Sequence, residues 1–200
     1  MKVILSIFAV MLLTTSINAE NNDNTESVVL AGGCFWCIES DYEKLDGVIE
    51  VISGYAGGEL KNPTYREVSA GNSGHIEVVK VIYKPSVISF KQIIDYFWTH
   101  VDPTRNDGQF CDRGPQYRPA IFYKNKNEYD TIVASQNYVI KHKPFPEPLK
   151  VELIAFTDFY DAEEYHQDYY KKNPIRYNFY RFNCGRDARV EELWKNYKHD

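Results

Sequence analysis

Cys34 and Cys37 flank Phe35 and Trp36, and Gly32-Gly33 precede them. A thiol in this setting is a candidate nucleophile, and the second thiol is a candidate partner for a redox disulfide. The two rings offer an apolar surface beside both. The glycines allow a sharp turn and a close backbone approach. Val28-Val29-Leu30-Ala31 reads as a strand leading in, and Ile38, Tyr42 and Leu45 share one face of a following helix. Cys34 is therefore expected at a helix N-terminus, where free N–H groups and the helix dipole favour an anion and lower a thiol pKa. A pair of half-buried structural cysteines is the alternative.

A carboxyl stands in the clearest strand, His75 to Tyr83. Alternation puts Glu77 on the face of Val79 and Val81, while Ile76, Val78 and Ile82 face the other way. A carboxyl among apolar neighbours is desolvated, holds its proton toward neutral pH and suits a general acid. Gly74 marks the strand start, so a strand-end carboxylate in solvent is the other reading. Two polar segments hold further candidates. Asn62-Pro63-Thr64-Tyr65 is a turn that projects a phenol. Cys111-Asp112-Arg113-Gly114-Pro115-Gln116-Tyr117-Arg118 puts an acid and a second phenol on one loop. A phenol O–H can donate to a buried oxygen. Taken singly, such groups are more often structural.

The elements that must position these groups follow from periodicity. Val48 to Ser53 reads as a strand, and Gly54 to Gly74 as a long loop. Ser89 with Gln92 forms a capping box opening a helix with Phe90, Ile93, Ile94, Phe97 and Trp98 at core spacing. Asp102 to Pro119 is a second loop, Ala120 to Tyr123 a short strand, Asn127 to Lys141 a helix and Val151 to Phe156 a strand. Asp161 with Glu164 caps a helix running to Lys172, which Pro174 ends; Arg186 to Tyr197 is a last short helix. The mixture predicts an α/β (α+β) two-layer sandwich with a mixed β-sheet and flanking helices. A helix crossing between the first two strands makes them parallel.

The chain of 200 residues suits one domain with a real core, and 16 tyrosines argue against disorder. The net charge of −5 provides no broad basic surface for nucleic acid. Lys2, the apolar run Val3 to Leu13 and Ile17-Asn18-Ala19 read as a secretory signal over 1–19, followed by a polar leader over 20–27 and the domain over 28–200. The apolar run is too short to span a bilayer comfortably. The expected address is exported, periplasmic or secreted after cleavage near Ala19. That compartment permits disulfides, and four cysteines allow three pairings. The histidines lack ligand spacing and no second close cysteine pair exists, so no metal site is expected.

In order along the chain come Gly32-Gly33-Cys34-Phe35-Trp36-Cys37, Gly54-Tyr55-Ala56-Gly57-Gly58, Asn62-Pro63-Thr64-Tyr65, Gly74-His75-Ile76-Glu77, Phe97-Trp98 with Asp102-Pro103-Thr104, Asp112-Arg113-Gly114 with Gln116-Tyr117-Arg118, and Tyr165-His166-Gln167 with Asn173-Pro174. Over Val28 to Asn183 the sequence closely resembles the peptide methionine sulfoxide reductase A family. The resemblance implies reduction of methionine S-sulfoxide, in proteins and peptides with the free amino acid a further candidate substrate, without metal or organic cofactor. It implies a fold related to the ferredoxin-like plait. A monomer is expected, although the sequence does not settle the oligomeric state. Cys34 matches the nucleophile and Glu77 the general acid. Tyr65, Tyr117 and Asp112 match the polar groups around the sulfoxide oxygen, and Phe35 and Trp36 the apolar wall for the methyl group. A second thiol would condense with the Cys34 sulfenic acid, and a thioredoxin-like donor would reduce the disulfide.

Many members resolve with cysteines in a glycine-rich tail; here the tail holds only Cys184. Cys37 is a thiol other members lack, and is favoured narrowly over Cys184 for the resolving step. Cys111 is expected to be buried and inert. Two other readings stay open: a thiol–disulfide oxidoreductase using Cys34 and Cys37, and a non-catalytic secreted module held by two disulfides.

Overall fold

The computed structural model describes residues 24–197. The expected signal over 1–19 lies outside the described residues, as do residues 20–23 of the leader. β1 (Glu26–Ala31) begins inside the segment read as leader, with Glu26 and Ser27 paired to Tyr83 and Ile82. There follow α1 (Phe35–Tyr42), β2 (Val48–Ala56), α2 (Tyr65–Ser69), β3 (Ile76–Tyr83) and α3 (Phe90–Trp98). A two-residue hairpin of β4 (Gly108–Gln109) and β5 (Asp112–Arg113) precedes β6 (Ala120–Tyr123), α4 (Lys126–His142), β7 (Glu152–Ala155) and β8 (Phe159–Asp161). The chain closes with α5 (Tyr169–Lys172), α6 (Pro174–Cys184) and α7 (Arg186–Trp194).

Six strands form one mixed sheet in the order β7-β6-β1-β3-β2-β8. β6 and β7 are parallel, while β1 and β2 are each antiparallel to β3. β1 and β2 thus run parallel, as a helical crossover requires, with β3 inserted between them. Alternation divides the sheet into two faces. Val28, Leu30, Val79 and Val81 enter the larger core with Ile38 and Tyr42 of α1 and Ile93, Ile94, Phe97 and Trp98 of α3. Val29, Ala31, Ile76 and Val78 enter a smaller cluster with Phe122. The aromatic stripe of α3 is packing, and its Ser89–Gln92 capping box is formed at both ends.

Three expectations need correction. The segment Gly54 to Gly74 is not all loop: β2 runs on to Ala56, and Thr64 with Glu67 makes a capping box that opens α2. The loop Asp102 to Pro119 contains the small hairpin and a 3-10 turn, Pro115–Tyr117. The helix expected from Asp161 to Lys172 is broken into β8, a 3-10 turn at Glu164–His166 and the single turn α5. Asp168 sits in the left-handed region, φ 53°, which interrupts the helical path. Pro174 begins α6 instead of only ending the helix before it. At a first helical position its missing N–H costs nothing, so proline fits either role.

Candidate active site

β1 delivers the chain to a turn that only glycines fit. Gly33 has φ +87°, and a Cβ on Gly32 would stand 2.5 Å from Ile38 Cδ1. Cys34 then caps α1, and the N–H of Phe35 points at the neighbouring strand. Glu77 of β3 meets it there: Phe35 N–H donates to Glu77 Oε2 at 3.2 Å. Glu77 is 2% exposed, so the solvent-facing reading of this carboxyl is overturned. Burial is the main force on it, pushing its pKa up to about 8 against the opposing Phe35 hydrogen bond.

The roof comes from distant segments. α2 supplies Tyr65, whose N–H donates to Glu163 Oε1 at 2.8 Å, while Tyr55 O–H donates to Glu163 Oε2 at 2.8 Å. The 3-10 turn supplies Tyr117, and the hairpin supplies Asp112. Tyr180 of α6 donates its O–H to Asp112 Oδ2 at 2.6 Å. Trp36 stacks on Tyr169 with centroids 3.7 Å apart and gives its N–H to His166 Nδ1 at 3.1 Å. That bond requires a neutral imidazole, and burial lowers the His166 pKa to about 4. His166 also packs on Phe35 and Tyr65, with centroids 4.9 and 4.5 Å away.

One cavity of about 80 Å³ results, lined by Cys34, Phe35, Trp36, Tyr65, Glu77, Asp112, Tyr117 and Tyr180. The fold thus brings together all seven residues expected to act on or surround the substrate. A larger surface groove of about 680 Å³ beside β1 and α4 is lined by Glu26, Lys80, Lys124 and Glu128 and holds no cysteine. Sequence reasoning missed Tyr180, Tyr169 and the packing role of His166. The available signal was the spacing of Tyr177, Tyr180 and Cys184 along one side of a helix. The run between Pro174 and Gly185 went unread as a helix.

The cysteines differ from expectation in two ways. Cys34 is 6% exposed, and burial pushes its thiol well up, reinforced by Cys37, Glu77 and Asp112. The helix N-terminus does not outweigh that burial. Cys37 is the thiol that moves down: the Cys34 hydrogen bond is the largest cause, followed, against burial, by the charges of Arg186 and Arg181. Cys111 is not buried and inert. It is exposed and bonded to Cys184, leaving Cys34 and Cys37 free and buried. A module held by two disulfides does not fit this pairing. Tyr65 is raised to about 12 by burial, so its phenol is a proton donor at neutral pH. Burial likewise raises Tyr117 and Tyr180, and it raises Asp112. Among the described residues, two groups of acidic and thiol side chains lie close enough to share an ion, Cys111 with Asp112 and Cys184, and Glu39 with Glu43 and Asp168. The first holds a disulfide, and in the second Lys171 already pairs with Glu43 and Asp168.

A profile of the family described as "Peptide methionine sulfoxide reductase" matches residues 26–198. A Vibrio cholerae protein named "Peptide methionine sulfoxide reductase MsrA/MsrB" is 48% identical over 94% of this chain, which spans 52% of that relative's length. "Peptide methionine sulfoxide reductase MsrA 2" of Caulobacter vibrioides is 45% identical over 85% of this chain and 86% of its own. Mxr1 from Saccharomyces cerevisiae in reduced form superposes with a TM-score of 0.70 at 32% identity, covering 75% of this chain and 86% of that one. Mxr1 solved in complex with Trx2 shares the fold at a TM-score of 0.53 and 24% identity, covering 77% of this chain and 90% of that one.

Proposed function

The chain belongs to the peptide methionine sulfoxide reductase family, and on that premise we propose that Cys34 and Glu77 together reduce methionine S-sulfoxide, in proteins and peptides, to methionine. The observation that carries the reading is a buried carboxyl, protonated at neutral pH, sharing one small cavity with a buried thiol. A sulfoxide oxygen leaves badly, so sulfur attack needs a proton on that oxygen. Glu77 donates it, and Tyr65 and Tyr117 donate hydrogen bonds to the same oxygen. Phe35 and Trp36 form the wall that receives the methyl group. The Cys34 sulfur attacks the sulfoxide sulfur; the protonated oxygen then passes to the Cys34 sulfur as its bond to the methionine sulfur breaks, so that methionine departs and Cys34 is left as the sulfenic acid. The thiol proton replaces the one Glu77 gave up. A thiol held protonated by burial is not wasteful here, because the sulfoxide itself is the acceptor that lets the proton leave.

Cys37 resolves the sulfenic acid. It is a free thiol next to Cys34, whereas Cys184 is held by Cys111. A thioredoxin-like donor then reduces the Cys34–Cys37 disulfide by exchange; Mxr1 meets Trx2 in one of its solved structures. Lys2, the Val3 to Leu13 run and Ala19 support export to an oxidising compartment, periplasmic or extracellular, where the Cys111–Cys184 bond would persist. The test is one turnover on a peptide S-sulfoxide without reductant, with mass mapping of the product. The expected result is one methionine released and a Cys34–Cys37 bridge, with neither formed by a folded Cys34→Ser protein. Turnover by that variant would falsify the assignment.

A further inference from the structure

Arg186 is 2% exposed, a rare setting for a guanidinium. It opens α7 directly after Gly185, whose φ of +71° reverses the chain. Its Nη1–H donates to the carbonyl of Gly32 at 3.0 Å and its Nη2–H to the carbonyl of His100 at 2.7 Å. Phe110 lies 4.6 Å beneath the guanidinium carbon. One side chain therefore ties the turn before Cys34, the end of the α3 segment and the loop before Cys111 to the residue that follows Cys184-Gly185.

The charges around it do not cancel inside the protein. Arg186 Nε is 3.6 Å from Asp41 Oδ2, and Arg181 Nη1 is 2.8 Å from Asp41 Oδ1. One buried carboxylate thus answers two guanidinium groups and, at 3.7 Å, the exposed Lys44 ammonium; the other carboxylates that feel the guanidinium charges are Asp187, mostly exposed, and the half-buried Asp112. A buried excess of positive charge calls for an anion nearby. Cys37 is one helical turn before Asp41 on α1, so the two share a face. The other ionisable and charged groups around Cys37 are Cys34 on its own helix, Glu77 on β3, Tyr169 on α5, and Tyr177, Tyr180 and Arg181 on α6. The cations acting on Cys37 are Arg181 and Arg186.

We infer that Arg186 is a positioning residue for the resolving step: it fixes the Gly32–Gly33 turn against α1 and supplies the charge that lets Cys37 attack the Cys34 sulfenic acid as a thiolate. The inference rests on resolution by Cys37. In the step, the Cys37 sulfur bonds to the Cys34 sulfur and the Cys34 S–O bond breaks. Cys37 is oxidised and Cys34 reduced, and the departing hydroxide takes a proton from Glu77 to leave as water. The lowered Cys37 pKa agrees with this arrangement.

The test uses the full chain with its Cys111–Cys184 bond intact. In a Cys34→Ser background Cys37 is the only free thiol, so ultraviolet absorbance against pH reports its thiolate directly. Arg186→Gln should move that titration up by about one pH unit, a roughly tenfold loss of thiolate, and Arg186→Lys should restore most of it. Asp41→Asn should move it the opposite way. In proteins that retain Cys34, decay of the sulfenic acid at neutral pH should slow about tenfold in Arg186→Gln and little in Arg186→Lys. A purely structural role would give parallel losses in both arginine variants and no change in the titration. An unmoved titration in Arg186→Gln and Asp41→Asn overturns the inference; if Arg186→Gln does not fold, Asp41→Asn decides. Mapping the first disulfide in Cys37→Ser keeps the two readings apart. A fast Cys34–Cys184 bridge there sinks resolution by Cys37, whereas the titrations judge Arg186 alone.

Discussion

Glu77 has its raised pKa because water cannot reach it, and the same burial makes it useful. Its acid form predominates below about pH 8 and is lost as pH rises through that value. Sulfenic acid formation is therefore expected to fall with rising pH across that limb. Glu77→Gln keeps the shape and removes the acid, so the rate should drop by about two orders of magnitude or more, and the pH limb should vanish with it. A stopped-flow rate that Glu77→Gln leaves unchanged at neutral pH rules the role out. The folding consequence has the same sign: a carboxyl raised from near 4.5 stabilises most where both states hold the proton, and that contribution is lost as pH climbs through about 8. Alternation along β3 put Glu77 on the core face but left its solvation open. What decides it is a helix N-terminus at Phe35 and a roof from α2, α6 and the hairpin, all remote in sequence. The expected lowering of the Cys34 pKa failed for a related reason. A helix N-terminus is visible in sequence, whereas burial under three tyrosines and the two arginines near Cys37 is not.

At the scale of elements, the strand, glycine turn and helix around Cys34 were legible because each link has a local cause. Gly33 is the sharpest case. It needs φ +87°, and a Cβ there would stand 2.6 Å from Gln109 Cβ. Gln109 cannot retreat, since its amide holds both the N–H and the carbonyl of Asp102 at 2.8 Å. Gly33→Ala should cost about 2–4 kcal/mol, combining left-handed strain with overpacking, and should lower activity by shifting Cys34. Gly185→Ala is the contrast: φ is +71° but nothing lies within 4 Å of the added carbon, so about 1 kcal/mol is expected. Urea titration of the two variants separates them, and equal losses would contradict the packing argument. The segment after β8 was misread because its breaks have tertiary causes. Asp168 is held left-handed where its N–H donates to Glu39 Oε1 at 3.0 Å, and Tyr169 is pulled against Trp36. Capping chemistry at Asp161 and Glu164 is equally consistent with a continuous helix, and the local sequence cannot choose between them.

Across the whole molecule, two cysteine pairs sit at different depths, and sequence could not pair them, since four cysteines admit three pairings. Cys34 and Cys37 are buried under the pocket roof. Cys111 and Cys184 join the hairpin that carries Asp112 to the helix that carries Tyr180, across a separation of 73 residues. The bond therefore holds together the two segments that form one wall of the cavity. Closing a loop of that length is worth up to about 4 kcal/mol by the chain-entropy argument. Replacing both residues by serine should therefore lower the denaturation midpoint of the oxidised protein substantially. If the bond is a brace, the double variant should still form the Cys34–Cys37 disulfide after one turnover. Steady-state turnover with a thioredoxin-like donor should then persist, with KM raised more than kcat falls, because Asp112 and Tyr180 are less well held. If the outer pair is instead the outlet for oxidation, single turnover should survive while recycling by the protein donor collapses, and a small dithiol should rescue it. Cys184 Sγ lies 3.9 Å from Asp112 Oδ2, so it reaches the edge of the cavity, but while bonded to Cys111 it has no thiol to offer. The bracing role follows from that chemistry, and loss of donor-supported recycling in the double variant is the result that would reverse it.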